Sequence, residues 1–160
     1  MKILLIGSGA REHAIVKALD LSSHKKEIYC LASNMNPGIA DLCDNLTVGN
    51  INDSYFVLDY AKKVGASLAI VGPESPLAQG VADCLWSIGV KTVGPKKDLA
   101  QLETSKAFTR DLLKTYSIPG GPKYQTFDSM NGAMEFLNEL GENYVVKYDG
   151  LAGGLSLIHI

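Results

Sequence analysis

Apolar residues fall into short continuous runs that alternate with stretches of helical spacing. Ile3-Leu4-Leu5-Ile6 is an unbroken apolar run closed by Gly7, the pattern of a parallel strand buried on both faces. A helix is expected from near Arg11, a second strand at Ile28–Ala32 and a weaker third at Asn45–Val48. Asp53 has the chemistry of a helix cap, with Val57, Tyr60, Ala61 and Val64 as the apolar face behind it and Gly65 as the stop. Leu68–Val71 reads as another buried strand. Ser75 and Pro76 predict the cap and first turn of one helix carrying Leu77, Val81, Cys84, Leu85 and Ile88, which Gly89 ends before a strand at Val90–Val93.

Strands alternating with helices over short connections define an α/β, doubly wound parallel sheet with right-handed crossovers. Ligands of such sheets bind beyond the carboxyl ends of the strands, so the loops after Ile6, Ala32, Val71 and Val93 share one functional edge. Near Gly94-Pro95 the pattern changes, and a boundary is expected within 95–104. Beyond it, Thr104 is expected to cap a helix carrying Phe108, Leu112, Leu113 and Tyr116, which ends before the turn cluster Ile118-Pro119-Gly120-Gly121-Pro122. A strand at Tyr124–Phe127, a helix with Met130, Ala133, Met134, Leu137 and Leu140, and a strand at Tyr144–Lys147 complete the expectation.

The composition fits a globular chain with a real core, since 46% of the 160 residues are hydrophobic and 20% charged. A formal net charge of −2 gives no bulk attraction to nucleic acid or an anionic membrane. Cys30, Cys43 and Cys84 are odd in number and widely spaced, which indicates neither a disulfide framework nor a zinc site and suggests a reducing cytoplasm. The opening apolar run is too short for a secretory segment, and no stretch approaches the roughly 20 apolar residues that span a bilayer. A soluble protein is expected.

Three segments carry candidate chemistry. Gly7-Ser8-Gly9-Ala10-Arg11-Glu12-His13 lies where a strand meets a helix; it reads equally as a plain turn or as a loop bringing backbone N–H groups to an anion. Glu12 stands where the dinucleotide fingerprint wants its third glycine, and Ser33-Asn34 stands where its ribose-binding acid belongs, so NAD is disfavoured. Glu74, after Val71-Gly72-Pro73, could accept hydrogen bonds from sugar hydroxyls or be a solvated acid beside a helix N-terminus. Lys147 precedes a glycine-rich loop through Gly153-Gly154, and reads as a phosphate-binding lysine or a snorkelling strand-end lysine. His13 and His24 lack spaced metal partners, and Cys84 belongs to an apolar helix face.

Taken in order, Gly7–Ala14 (G-S-G-A-R-E-H-A), Asn36–Gly38 (N-P-G), Val71–Leu77 (V-G-P-E-S-P-L), Gln101–Phe108 (Q-L-E-T-S-K-A-F) and Val145–Gly154 (V-V-K-Y-D-G-L-A-G-G) resemble the signatures of the phosphoribosylamine–glycine ligase family. The resemblance spans residues 1–154 and implies a Rossmann-like substrate domain over 1–103, followed by the start of an ATP-grasp domain over 104–154. It further implies ATP-dependent activation of glycine as an acyl phosphate, which the amine of 5-phosphoribosylamine attacks to give glycinamide ribonucleotide, ADP and phosphate in purine synthesis. By resemblance, Lys106, Lys147, Gly153 and Gly154 face ATP, and Gly7, Gly9, Arg11 and Glu74 face phosphoribosylamine. The Mg²⁺ or Mn²⁺ of the family would be held by residues downstream of this sequence.

Members of the family continue the loop with Lys-Gly-Val, whereas Leu155-Ser156-Leu157-Ile158-His159-Ile160 follows here. This tail back-translates into a sequence like a transposase-type sequencing adapter. It is expected to be non-native, with Gly154 the last authentic residue and the chain catalytically silent by itself. Two other readings compete: another ATP-grasp ligase or carboxylase of purine synthesis, against which the R-E-H-A and L-E-T-S-K-A-F segments speak, and a non-catalytic nucleotide-binding domain.

Overall fold

In the computed structural model, which describes residues 1–151, the first apolar run forms strand β1 (Lys2–Ile6), buried from Ile3 onward. Four further strands follow: β2 (Glu27–Ala32), β3 (Asn45–Val48), β4 (Leu68–Val71) and β5 (Lys91–Val93). All pair in parallel, in the order β3-β2-β1-β4-β5. The chain moves outward from β1 through β2 to β3, then returns to the other side of β1 for β4. The order therefore reverses between β1 and β4, and a crevice opens at their carboxyl ends.

Alternation along β1 explains its continuous apolar character. Leu4 and Ile6 enter one core, with Val57 and Ala61 of α3 (Ser54–Val64) and Val81 and Leu85 of α5 (Val81–Ser87). Leu5 enters the other, with Val16 of α1 (Ala10–Asp20) and Ile39 of α2 (Pro37–Ala40). Because helices cover both faces, both sets of side chains must be apolar. The ends of α3 match expectation: the Asp53 carboxylate accepts from the N–H groups of Tyr55 and Phe56 at 3.0 and 3.1 Å, and Gly65 closes the helix in the left-handed conformation.

The expected single helix after β4 is two. Helix α4 (Glu74–Ala78) begins at Glu74 behind Pro73, one residue before the expected Ser75 cap, and Gly80 separates it from α5. At φ +79° Gly80 leaves the right-handed region, and this breaks a spacing that otherwise reads as continuous. Helix α6 (Lys97–Thr104) was not expected. Its first N–H, from Lys97, donates to Asp83 Oδ2 at 2.9 Å, a cap supplied from elsewhere in the chain and invisible to local pattern.

The chain divides into two compact units at Ala100/Gln101, within α6. In the second unit, Ser105 rather than Thr104 caps α7 (Lys106–Thr115), its Oγ accepting from the Phe108 N–H at 3.0 Å. Helix α8 (Ala133–Leu140) begins after Gly132, so Met130 lies outside it. The strands expected at 124–127 and 144–147 do not form; a single bridged residue, Val146, is the only pairing seen there among the described residues. Residues of high strand propensity become a strand only where a neighbour takes up their backbone donors and acceptors. The tail 155–160 lies outside the described residues.

Leu5 is fully buried between Cys30 and Ile70 in register, so Leu5→Ala is expected to cost about 2–5 kcal/mol. Asp53→Ala removes only a cap and is expected to cost about 0.5–2 kcal/mol. Urea unfolding of both variants checks the ranking, and a cap loss exceeding the core loss would contradict it.

Candidate functional site

The crevice between β1 and β4 is organised around Glu12. This residue sits in the first turn of α1, yet it is only 4% exposed. Its Oε2 accepts from the Gly9 N–H at 2.6 Å, so the N3 carboxylate folds back over the N-cap of its own helix. Glycine has no side chain with which to return the bond, and the contact is half of a capping box.

Glycines make room for that carboxylate. A Cβ on Gly72, just after β4, would fall 2.1 Å from Glu12 Oε1. One on Gly7, just after β1, would fall 2.8 Å from Glu12 Cγ and 2.8 Å from Pro73 Cδ, and Gly7 also holds φ +124°. No side chain larger than hydrogen fits either position without displacing Glu12, which is a steric statement independent of turn propensity. Cys30, on β2, donates from Sγ to the Gly7 carbonyl at 3.4 Å, and burial pushes its thiol up to about 12, reinforced by Cys43 and Glu12. Cys30 is thus a packing residue and not a nucleophile.

Arg11 crosses the mouth of the crevice. Its Nη1 donates to the Gly72 carbonyl at 2.9 Å and to Glu74 Oε1 at 3.0 Å. The third wall comes from the loop after β2. There Asn36 caps α2 through Oδ1 and donates from Nδ2 to the Ser8 carbonyl at 2.9 Å. The His13 ring packs over Gly38, where a Cβ would meet it at 2.5 Å. Ser8 and Ser33 share a hydroxyl contact of 3.0 Å.

The structure therefore brings Gly7, Gly9, Arg11 and Glu74 together at one sheet edge. Sequence reasoning took Glu12 only as a departure from a dinucleotide fingerprint. Its place three residues after the N-cap was a usable signal, whereas Gly72 as its neighbour was not, because nothing local links them. Asn36 and Gly38 were legible as a segment of the family resemblance but not as a wall of this site.

In the second unit, Lys106 opens α7 and its Nζ donates to the Gly150 carbonyl at 2.7 Å. Asp149 Oδ1 accepts from the Lys106 and Ala107 N–H groups at 2.6 and 3.2 Å, and Oδ2 from Ser105 Oγ at 3.0 Å. Burial alone would raise the Asp149 carboxyl. The hydrogen bonds from Ala107, Ser105 and Lys106, with the Lys106 charge, outweigh it and hold the group below its ordinary value. Lys147 is exposed, and Gly153 and Gly154 lie outside the described residues. Among the described residues, no group of three or more His, Cys, Asp or Glu could hold a metal ion, and no helix is long and apolar enough to cross a membrane.

A parallel α/β sheet with glycine-lined loops at its switch point, followed by a second compact unit, places the first unit in the Rossmann-like class. The phosphoribosylglycinamide synthetase N domain matches residues 1–103, and the ATP-grasp (A) domain of the same synthetase matches residues 104–158. The chain belongs to the phosphoribosylglycinamide synthetase family. It is 46% identical over 154 residues to the phosphoribosylamine–glycine ligase of Methanosarcina barkeri, covering 96% of this chain and 35% of that protein. The chain thus spans about a third of the length of the curated relatives it matches. The crystal structure of a phosphoribosylamine–glycine ligase from Thermotoga maritima matches with a TM-score of 0.76 at 22% identity, covering 99% of this chain and 35% of that one. An N5-carboxyaminoimidazole ribonucleotide synthetase from Thermotoga maritima matches with a TM-score of 0.64 at 20% identity, over 84% of this chain and 36% of that one. At these identities both structures attest the shared fold.

Gly72→Ala is expected to destabilise the first unit by about 1–3 kcal/mol, the usual cost of forcing atoms into a filled space. Because the clash is with one side chain, Gly72→Ala combined with Glu12→Ala should be more stable than the sum of the two single losses. Strict additivity in urea unfolding would show that the two residues do not meet.

Proposed function

We propose that the chain supplies the sugar-phosphate side and the beginning of the nucleotide side of an ATP-dependent ligase that joins glycine to 5-phosphoribosylamine. The single observation that carries this reading is the convergence of Gly7, Gly9 and Arg11 with Glu74 at the β1/β4 switch point, in a chain whose two parts match the two synthetase domains in order. In this reading residues 1–103 are the substrate domain and residues from 104 belong to the ATP-grasp domain. Free cysteines, Cys30, Cys43 and Cys84, are compatible with a reducing cytoplasm.

The chain's own residues suggest how a sugar phosphate would be held. At the N-terminus of α1 Glu12 takes only the Gly9 N–H, and the following first-turn N–H groups, which have no side-chain cap, are left to an anion. Arg11 adds a guanidinium at the same opening, paired with Glu74 but with a side chain 64% exposed. An ion pair this open contributes about 0–1 kcal/mol, whereas a hydrogen bond from guanidinium to an anionic ligand is worth about 1.5–3 kcal/mol. A phosphate can therefore recruit Arg11. Glu74, acceptor only, then suits the ribose hydroxyls.

On the nucleotide side, Lys106 and Lys147 would face ATP phosphates. Lys106 spends one of its three ammonium donors on Gly150 and keeps others for a ligand. ATP supplies the phosphoryl group that activates a carboxylate. The Mg²⁺ or Mn²⁺ that the family resemblance implies has no ligand set among the described residues.

Two substitutions separate the two sides. Arg11→Ala should weaken ribose 5-phosphate binding roughly tenfold or more, the loss of one charge-assisted bond, and leave ATP binding unchanged. Lys147→Ala in the full-length enzyme should do the reverse. Calorimetric titration of each ligand measures both effects; an Arg11→Ala chain that binds ribose 5-phosphate like the parent overturns the sugar-phosphate assignment.

A further inference from the structure

The contacts at the start of α7 form a closed arrangement that the functional reading leaves unused. The three residues of the helix's first turn, Lys106, Ala107 and Phe108, have N–H groups that cannot be satisfied within the helix. Asp149 takes the first two, at 2.6 and 3.2 Å. Ser105 Oγ takes the third at 3.0 Å while donating its own proton to Asp149 Oδ2 at 3.0 Å. Lys106 then reaches past Asp149 to the next residue's carbonyl, Gly150, at 2.7 Å. A helix N-terminus is thus capped by a carboxylate far along the chain, and the capping segment is held at that carboxylate and at the carbonyl of the next residue.

This has a steric and an electrostatic consequence. The negative charge that a helix N-terminus attracts is already provided by Asp149. The terminus of α7 is therefore committed to holding residues 149–150 and is not itself a phosphate site. Lys147 lies two residues before the clasp, so the clasp fixes where its backbone emerges.

From these contacts we propose that Asp149 is a positioning residue: its carboxylate clasps the N-terminus of α7 and so presents Lys147 and Lys106 from one fixed arrangement. The role rests on the reading of these lysines as the nucleotide-phosphate side. Asp149 touches no substrate in this account and acts through Lys106 and Lys147.

The clasp has a spectroscopic signature. In the parent chain, the amide signals of Lys106 and Ala107 should follow one carboxyl titration with a midpoint below the ordinary aspartate value. The charged group acting on Asp149 is Lys106. Asp149→Asn should abolish the titration while keeping α7 protected, because the amide oxygen still accepts. Asp149→Ala should speed hydrogen exchange at Lys106–Phe108 and tryptic cleavage after Lys147 by about tenfold, the scale of one lost charge-assisted bond. Exchange and cleavage unchanged in Asp149→Ala would overturn the clasp.

In the full-length enzyme, ATP titration separates the proposal from the reading beneath it. ATP affinity should fall about tenfold in Asp149→Ala, fall likewise in Lys147→Ala, and recover in Asp149→Asn. A loss in Lys147→Ala with none in Asp149→Ala overturns the positioning role alone. No loss in either variant overturns the nucleotide reading itself.

Discussion

The burial of the Glu12 carboxylate between the β1 and β4 loops is the constraint on which the first unit's edge depends. A buried carboxylate is costly unless its oxygens are hydrogen-bonded. The Gly9 N–H supplies a short bond, and the space for the side chain exists only because Gly7 and Gly72 carry no Cβ. Once Glu12 is in place, the turn after β1 is fixed, the first turn of α1 is aimed along the crevice, and the neighbouring Arg11 is carried to the Gly72 carbonyl and to Glu74. The glycines here serve a side chain as much as a ligand. That is why a loop resembling a dinucleotide fingerprint carries a glutamate where the fingerprint has glycine.

The second unit solves a comparable problem with the opposite geometry. In α1 the acid belongs to the helix whose N-terminus it covers; in α7 it arrives from residue 149. A local cap stiffens its own helix, but a distant one also anchors the segment that brings it. Under the proposed nucleotide-side role of Lys147, the difference matters because the anchored segment is the one that carries this lysine. Acidification should release it: Asp149 sits below its ordinary value, so the clasp is complete above the usual aspartate range and is lost as pH falls through the lowered folded value.

Much of the first unit was legible because its signals are local. Ile3–Ile6 and Leu68–Val71 are short apolar runs ended by glycine, and Asp53 with Gly65 brackets one amphipathic helix. What was not legible depends on partners distant in sequence or on a single torsion. Gly80 splits a helix whose apolar spacing continues through it. Helix α6 is started by Asp83. The segments at 124–127 and 144–147 have strand-like composition without a ladder. In the site, Arg11 and Glu74 could be nominated one by one, but their meeting at 3.0 Å is a property of the strand order, which places β4 beside β1.

The β1/β4 crevice, shaped by Glu12 and crossed by Arg11, is the proposed sugar-phosphate site. Its most direct test is amide chemical-shift mapping of the isotope-labelled chain during titration with ribose 5-phosphate. The account predicts saturable shifts concentrated at Ser8–Glu12 and Gly72–Ser75. Saturable shifts centred elsewhere, with both of those segments unmoved, would contradict it.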